Sequence, residues 1–163
     1  MRLNAQYAKA GPHEFVVVLD HLKPTFNVGK IFRSAQAFGA QAVYMVGMDF
    51  FNPYPAQGAL RYVPTKQFNE IAECLSFIKE AGYTPIAFDV SEKAQNLFDY
   101  KFPQKSALIL GHEAFGLSIK EEDRSGADFV KIPMFATIES LNVSVAASIV
   151  MWEYVRQNHA SAK

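Results

Sequence analysis

Short apolar runs alternate with helical patterns along this chain. Five runs of β-branched and other apolar residues predict strands over 15–20, 42–47, 84–90, 106–111 and 128–133. Helical spacing predicts three helices over about 27–38, 67–81 and 141–156. The stretch 48–66 is rich in Pro, Gly and aromatic residues, which predicts mostly loop. Strands alternating with helices indicate an α/β fold, with a mostly parallel sheet and helices on both faces.

The last predicted helix has an unusual pattern. From Val145 to Trp152 only Ser148 is polar, so this helix is apolar nearly all round. Such a helix must be covered on more than one side. The sheet can cover one side, and a second copy of the chain is the natural cover for the other. The pattern therefore predicts a homodimer through the C-terminal helix.

Length and composition narrow the class of protein. The 163 residues suit a single domain over 1–163, with about 157–163 as a flexible tail. Sixteen basic residues balance sixteen acidic ones, which argues against binding nucleic acid through bulk charge but leaves room for a local basic patch. The single Cys74 cannot form an internal disulfide, and no Cys/His cluster suggests a metal. Without an apolar run of membrane-spanning length or a signal peptide, the expectation is a cytoplasmic protein.

The first candidate for chemistry is FNVGKIFRSAQAFG, residues 26–39. On a helix, Arg33 and Lys30 point away from the apolar stripe that contains Ile31 and Ala35. Arg33 is then either a solvated side chain or a group that faces a phosphate or sugar across a cleft. Asn27 could simply cap the helix.

Two later stretches also carry polar groups at strand ends. In LILGHEAFGLS (108–118) an apolar strand runs into two glycines, but the lysine of a phosphate-binding P-loop is absent. Glu113 could cap a helix that begins near Phe115. In IPMFATIESLNVSVA (132–146), Ser140 and Asn142 precede a helix and could cap it. Loops at the carboxyl ends of parallel strands are where such sheets bind ligands.

Together the three stretches resemble the signature motifs of the SpoU (TrmH-type) branch of the SPOUT RNA methyltransferases. The first motif, N-x-G-x-I-x-R-[ST]-A, is matched from Asn27 to Ala35. The second, G-x-E-x-x-G-[LI]-S, is matched by 111–118, and the third, I-P-M…S-L-N-V-S-V-A, by 132–134 and 140–146. Lys30 stands where the family often has a small residue. Ala136 stands where a Gly is common, and it would narrow the pocket if that Gly allows close cofactor approach.

The resemblance implies an α/β fold with a C-terminal trefoil knot, a homodimer, and S-adenosylmethionine as cofactor. The implied activity is methylation of a ribose 2′-hydroxyl in tRNA or rRNA. The catalytic positions carried over are Asn27, Arg33, Glu113, Ser140 and Asn142. The cofactor-binding positions are Leu110, Gly111, Glu113, Ile132, Met134, Ser140, Leu141 and Asn142. Because a guanidinium stays protonated, we expect Arg33 to bind the ribose and phosphate rather than to act as the base.

The RNA itself needs a binding surface. Residues 21–66 hold five basic side chains against only Asp49, namely Lys23, Lys30, Arg33, Arg61 and Lys66. Phe50, Phe51, Tyr54 and Tyr62 lie among them and either stack on bases or pack the loop against the sheet or a partner. Because the chain resembles the minimal members of the family, some of which modify the tRNA wobble ribose, tRNA is expected over rRNA. The alternatives are an rRNA substrate, a SPOUT-fold protein that binds RNA or cofactor without methyl transfer, and a nucleotide-binding enzyme using GHEAFG.

Overall fold

A seven-stranded sheet forms the centre of the protein in a computed structural model that describes residues 7–48 and 51–159. The strands are β1 (Phe15–Asp20), β2 (Ala42–Val46), β3 (Thr65–Phe68), β4 (Thr84–Phe88), β5 (Gln95–Asn96), β6 (Ser106–Leu110) and β7 (Asp128–Lys131). Their order is β3-β2-β1-β6-β4-β7-β5, and every adjacent pair runs parallel. The helices are α1 (Phe26–Ala37), α2 (Ile71–Glu80) and α3 (Val143–Asn158).

β1 is buried along its whole length because helices cover both faces of the sheet. Its residues Phe15, Val17 and Leu19 join the core that includes α1 and α3. Its residues Val16 and Val18 face the opposite way and join the core that includes α2. This alternation follows from the two-residue period of a strand and explains the continuous apolar run FVVVLD. The predicted α/β class, parallel sheet and helices on both faces are confirmed.

α1 and α3 lie side by side and run in the same direction. The hydroxyl groups of Ser34 and Ser148 share a hydrogen bond of 2.8 Å. One turn further on, the rings of Phe38 and Trp152 lie 5.9 Å apart. The N-termini of both helices therefore come together at one end of the sheet, which is the end where β1 and β6 finish.

The sequence pattern missed two short edge strands. β3 occupies Thr65–Phe68, so the helix predicted from residue 67 begins only at Ile71. β5 has just two residues and was not predicted. Both lie at the outer edges of the sheet, where one flank has no strand neighbour, so little apolar patterning is required. Residues 51–64 otherwise contain two short 3₁₀ turns, at Tyr54–Ala56 and Ala59–Arg61.

The end of α3 also differs from the prediction. The helix continues to Asn158, so residues 157 and 158 do not belong to a flexible tail. Gln157 donates to the carbonyl of Tyr100, and Asn158 donates to the carbonyl of Phe102. The rest of the expected tail, 160–163, lies outside the described residues. Within the described ranges, no helix is long and apolar enough to cross a membrane.

Candidate active site

A cavity of about 350 Å³ lies at the carboxyl ends of β4, β6 and β7. Seven of the eight predicted cofactor-binding residues line it: Leu110, Gly111, Glu113, Ile132, Met134, Ser140 and Leu141. Phe88, Asp89, Val90 and Glu139 are further lining residues that the sequence reasoning did not single out. Asn142 is not part of the lining. Ala136 is exposed and does not line the cavity either, so it does not narrow the cavity as the sequence suggested.

A chain of side-chain hydrogen bonds links the three motifs beside this cavity. Asn142 donates from Nδ2 to Oδ1 of Asn27 over 3.1 Å. Asn27 in turn donates from Nδ2 to Oε1 of Glu113 over 3.3 Å. The other oxygen of Glu113 accepts from the backbone N–H of Lys23 at 3.3 Å. Residues separated by 86 and 115 positions in the chain therefore meet at one point.

This arrangement decides between the roles left open for these residues. Asn27 lies inside the first turn of α1 and does not cap it; Thr25 is at the capping position and makes no side-chain cap. Glu113 does not cap a helix near Phe115, because residues 111–118 form a tight turn instead. Asn142 does cap α3, since its Oδ1 accepts from the backbone N–H groups of Ser144 and Val145.

The turn at 111–118 explains both glycines of the second motif. His112 and Gly116 exchange two backbone hydrogen bonds of 2.8 Å. Gly116 has φ +72°, which favours glycine. A Cβ on Gly111 would come within 2.6 Å of the Gly116 backbone, so a side chain does not fit there. The glycines therefore shape the turn and do not bind phosphate as in a P-loop.

His112 takes part in this turn, although no role was predicted for it. Its Nδ1 accepts from the backbone N–H groups of Ala114 at 3.0 Å and Phe115 at 3.2 Å. A second residue missed by the sequence analysis is Asp20, the last residue of β1, which is fully buried. Its carboxylate accepts from the backbone N–H and the hydroxyl of Ser118, both at 2.6 Å. The sequence did contain a signal for Asp20, since it is a carboxylate at the end of an otherwise apolar strand that is predicted to be buried.

Arg33 is not part of the hydrogen-bonded chain. It is exposed on α1, as predicted from its position opposite the apolar stripe. It lies six residues beyond Asn27, which is about 9 Å along the helix axis. It does not line the cavity, and among the described residues no hydrogen-bond or ion-pair partner is found for it.

Gly29, one turn before Arg33, allows α1 to pack closely against the following loop, because a Cβ there would lie 2.8 Å from the backbone nitrogen of Ala56.

The predicted basic residues do not all share one surface. Lys23, Lys30, Arg33 and Arg61 are exposed. Lys66 is exposed too, but its Nζ lies 4.5 Å from the ring centroid of Phe77, on the α2 side of the sheet. It is therefore separated from Lys30 and Arg33 by the sheet.

The aromatic residues of the same stretch divide between the two roles. Phe51 is buried and stacks on Phe32 at 5.7 Å, so it packs the loop against α1. Tyr54 is 85% exposed. Tyr62 is about half exposed, and its ring centroid lies 6.1 Å from that of Tyr7. Phe50 and the acidic Asp49 lie outside the described residues.

A second and larger concavity, of about 750 Å³, borders α3. We call it the α3 groove; Lys30, Phe98, Ile132, Pro133, Val145, Ile149, Trp152 and Glu153 are among its lining residues. Val145, Ile149 and Trp152 are 48%, 36% and 56% exposed, although they are large and apolar. The single chain thus leaves one side of α3 uncovered, as its sequence pattern indicated.

The chain is similar in sequence to known proteins. The putative TrmH family tRNA/rRNA methyltransferase of Staphylococcus haemolyticus is 33% identical over 150 residues. That alignment covers 88% of this chain but 59% of the relative, so this chain spans about three-fifths of that protein's length.

Two solved structures share the fold. The SpoU methyltransferase AviRb from Streptomyces viridochromogenes, in complex with the cofactor AdoMet, has a TM-score of 0.73 and 29% identity, covering 93% of this chain and 60% of that one. A structure that gives insights into the 2-OH methylation of C/U34 on tRNA has a TM-score of 0.74 and 28% identity, covering 90% of this chain and 97% of that one.

The SpoU rRNA Methylase family matches residues 14–152, a span that includes all three motifs and every residue of the hydrogen-bonded chain. The chain therefore belongs to the SpoU rRNA methylase family.

Proposed function

We propose that this chain transfers a methyl group from S-adenosylmethionine to a ribose 2′-hydroxyl of RNA, with tRNA as the substrate. The observation that carries the proposal is the hydrogen-bonded chain of Asn142, Asn27 and Glu113 beside the cavity. It joins the three motifs at the carboxyl ends of parallel strands, where such sheets bind ligands. The names of the relatives, which refer to tRNA/rRNA methyltransferases and to 2-OH methylation on tRNA, support the same activity.

The cavity suits S-adenosylmethionine by size and by chemistry. Its volume of about 350 Å³ lies within the range of small-molecule sites. Leu110, Ile132 and Leu141 offer an apolar surface for an adenine ring, and the carboxylates of Asp89 and Glu113 favour a positively charged ligand nearby. When bound, the cofactor supplies an electrophilic methyl group on a sulfonium.

The protein's own residues have positioning and electrostatic roles in this proposal. Methyl transfer needs the donor sulfur, the carbon and the acceptor oxygen in line, so fixing the two ligands carries much of the catalysis. Asn27 and Asn142 hold Glu113 and the start of α3 in fixed positions at the edge of the cavity. The guanidinium of Arg33 is a hydrogen-bond donor, so in this proposal it binds the ribose and its phosphate and stabilises the negative charge that develops on oxygen. The proton then leaves to another acceptor, such as the phosphate.

A homodimer through α3 belongs to the same proposal. The exposed apolar side chains of Val145, Ile149 and Trp152 are the support for it, since large apolar side chains grouped on one face mark interaction sites. Lys30 also lines the α3 groove, so an interface there would reach the exposed side of α1 next to Arg33. The trefoil knot stays a prediction from the family resemblance.

The choice of tRNA rests on size and on local charge. This chain matches nearly the whole length of the structure connected with tRNA C/U34 methylation. Lys23, Lys30, Arg33 and Arg61 are exposed basic side chains in the stretch that contains α1, and Tyr54 offers an exposed ring for an unstacked base. Such an enzyme would act in the cytoplasm, where tRNA is found. An rRNA substrate is the alternative, in line with the name of the family.

The test uses the purified chain, methyl-labelled S-adenosylmethionine, and separate pools of unmodified tRNA and rRNA. Label in the tRNA pool is expected. Label only in the rRNA pool would show that the proposed methyl transfer is right and the proposed tRNA substrate is wrong. Cofactor binding by calorimetry without label in either pool would favour the non-catalytic alternative, and binding of ATP or NAD instead would favour a nucleotide-binding enzyme.

A further inference from the structure

Asp20 is a buried carboxylate that the proposed chemistry does not use. It ends β1 and is fully inaccessible to solvent. An ionised group in such a place is costly unless hydrogen bonds compensate it. Three donors do so here: the backbone N–H and the hydroxyl of Ser118, each at 2.6 Å, and Nδ1 of His21 at 2.8 Å.

The partner of Asp20 is the last residue of the turn at 111–118. That turn leaves the sheet at Leu110, which pairs with Leu19 in the β1–β6 ladder. It returns to the end of β1 at Ser118, where Asp20 accepts its two hydrogen bonds. The turn is therefore fixed at both ends to the same strand. Between those ends, Gly111 to Ala114 and Gly116 line the cavity.

The third donor to Asp20 is itself held in place. His21 has φ 54°, a left-handed conformation that is uncommon for a residue with a side chain. Its ring lies directly against Gly47, where an added Cβ would meet ring atoms at 2.2 Å. The backbone N–H of His21 bonds to the carbonyl of Val46 in β2. Through Ser118 on one side and His21 on the other, Asp20 thus connects the cavity turn to β1 and β2.

We propose that Asp20 is a positioning residue for the cofactor: its carboxylate holds the 111–118 turn in the conformation that forms one wall of the cavity. This inference rests on the proposed function for the identity of the ligand. The physical reason is pre-organisation, because a ligand binds more weakly when only a fraction of the molecules has a formed site. Asp20 touches neither the cofactor nor RNA in this account and acts through Ser118.

The experiment compares three variants with one control variant. Asp20→Ala removes all three hydrogen bonds, Asp20→Asn keeps the shape and can still accept from the Ser118 backbone, and Ser118→Ala removes only the hydroxyl. The control is Asp128→Asn at the start of β7, whose carboxylate accepts from the hydroxyl of Tyr100 at 2.7 Å and does not line the cavity. The readouts are the Kd of S-adenosylmethionine by calorimetry and amide hydrogen exchange of 111–118 without cofactor.

We expect Asp20→Ala to raise the Kd about tenfold and to speed exchange of the Ser118 amide by a similar factor. Asp20→Asn and Ser118→Ala should give smaller changes in the same direction, and Asp128→Asn should give none. Faster exchange with an unchanged Kd would mean that Asp20 stabilises the turn without affecting cofactor binding, and it would overturn the proposal. Unchanged exchange of 111–118 would also overturn it, because Asp20 would then not hold the turn. A wild-type chain that binds no S-adenosylmethionine would instead refute the proposed function, so the two failures are distinguishable.

Discussion

Asn142 has two separable tasks, and substitutions can remove them one at a time. Its Oδ1 caps α3 by accepting from the backbone N–H groups of Ser144 at 3.0 Å and Val145 at 3.4 Å. Its Nδ2 donates to Asn27 and so starts the chain that leads to Glu113. Alanine loses both tasks. Aspartate is as good a cap as asparagine but has no N–H to donate.

The energies follow from these contacts. Loss of an N-cap costs about 1 kcal/mol of unfolding free energy, so Asn142→Ala should be destabilised by roughly that amount. Asn142→Asp keeps the cap, and its negative charge is favourable at the N-terminus of a helix, so its stability should stay within about 0.5 kcal/mol of wild type. In this variant, however, Oδ1 of Asn27, which now accepts from Nδ2 of Asn142, would face a carboxylate that has no N–H to donate. Turning the Asn27 amide over would restore a hydrogen bond to position 142 but would point Oδ1 at Glu113, which accepts from Nδ2 in the present arrangement.

Urea unfolding, calorimetry with S-adenosylmethionine and a methyl-transfer assay on tRNA distinguish the two tasks. We expect Asn142→Asp to unfold like wild type and yet to lose at least tenfold in turnover, with weaker cofactor binding. We expect Asn142→Ala to show the same functional loss together with the loss of stability. A stable Asn142→Asp variant with wild-type turnover and affinity would refute the idea that the Asn142–Asn27–Glu113 chain organises the site.

Four further predictions concern other parts of the molecule. Arg33→Ala should bind S-adenosylmethionine with unchanged Kd and lose about 100-fold or more in turnover, and full activity would end its proposed role. Gly29→Ala should lower the unfolding free energy by about 1–3 kcal/mol in a urea titration, because its Cβ would come 2.8 Å from the backbone nitrogen of Ala56. Tyr54→Ala should raise the KM for tRNA about tenfold while Tyr54→Phe keeps it, and equal values for both would argue against base stacking. Ile149→Arg should shift the chain to a monomer in light scattering, and an unchanged mass would contradict an interface at the α3 groove.

The elements that the sequence predicted well are those whose pattern leaves little choice. β1 is apolar at every position but its last because both sheet faces are covered, and Gly39 and Gly82 follow α1 and α2 with positive φ. β3 and β5 escaped detection because short edge strands such as TKQF carry no clear alternation of apolar residues. Their existence depends on the neighbouring strands that they pair with, which no local pattern reveals.

Some residues of the candidate site were likewise predicted from the sequence, and others were not. The resemblance to the three SpoU motifs predicted that Asn27, Glu113 and Asn142 belong to one site, and the structure joins them by hydrogen bonds. Asp20 was missed because its partner Ser118 is 98 residues away, and only the β1–β6 pairing brings the two together. The location of Lys66 behind the sheet was likewise hidden, since charge counted along a segment does not report which face each side chain occupies.

The most direct test of the proposed chemistry asks where the methyl group goes. tRNA methylated by the purified chain with labelled S-adenosylmethionine is hydrolysed in alkali, which cleaves RNA only next to a free 2′-hydroxyl. If the chain methylates ribose, the label will appear in an alkali-resistant dinucleotide, and Arg33→Ala will produce almost none. Label in ordinary mononucleotides would place the methyl group on a base, and that result would contradict ribose methylation.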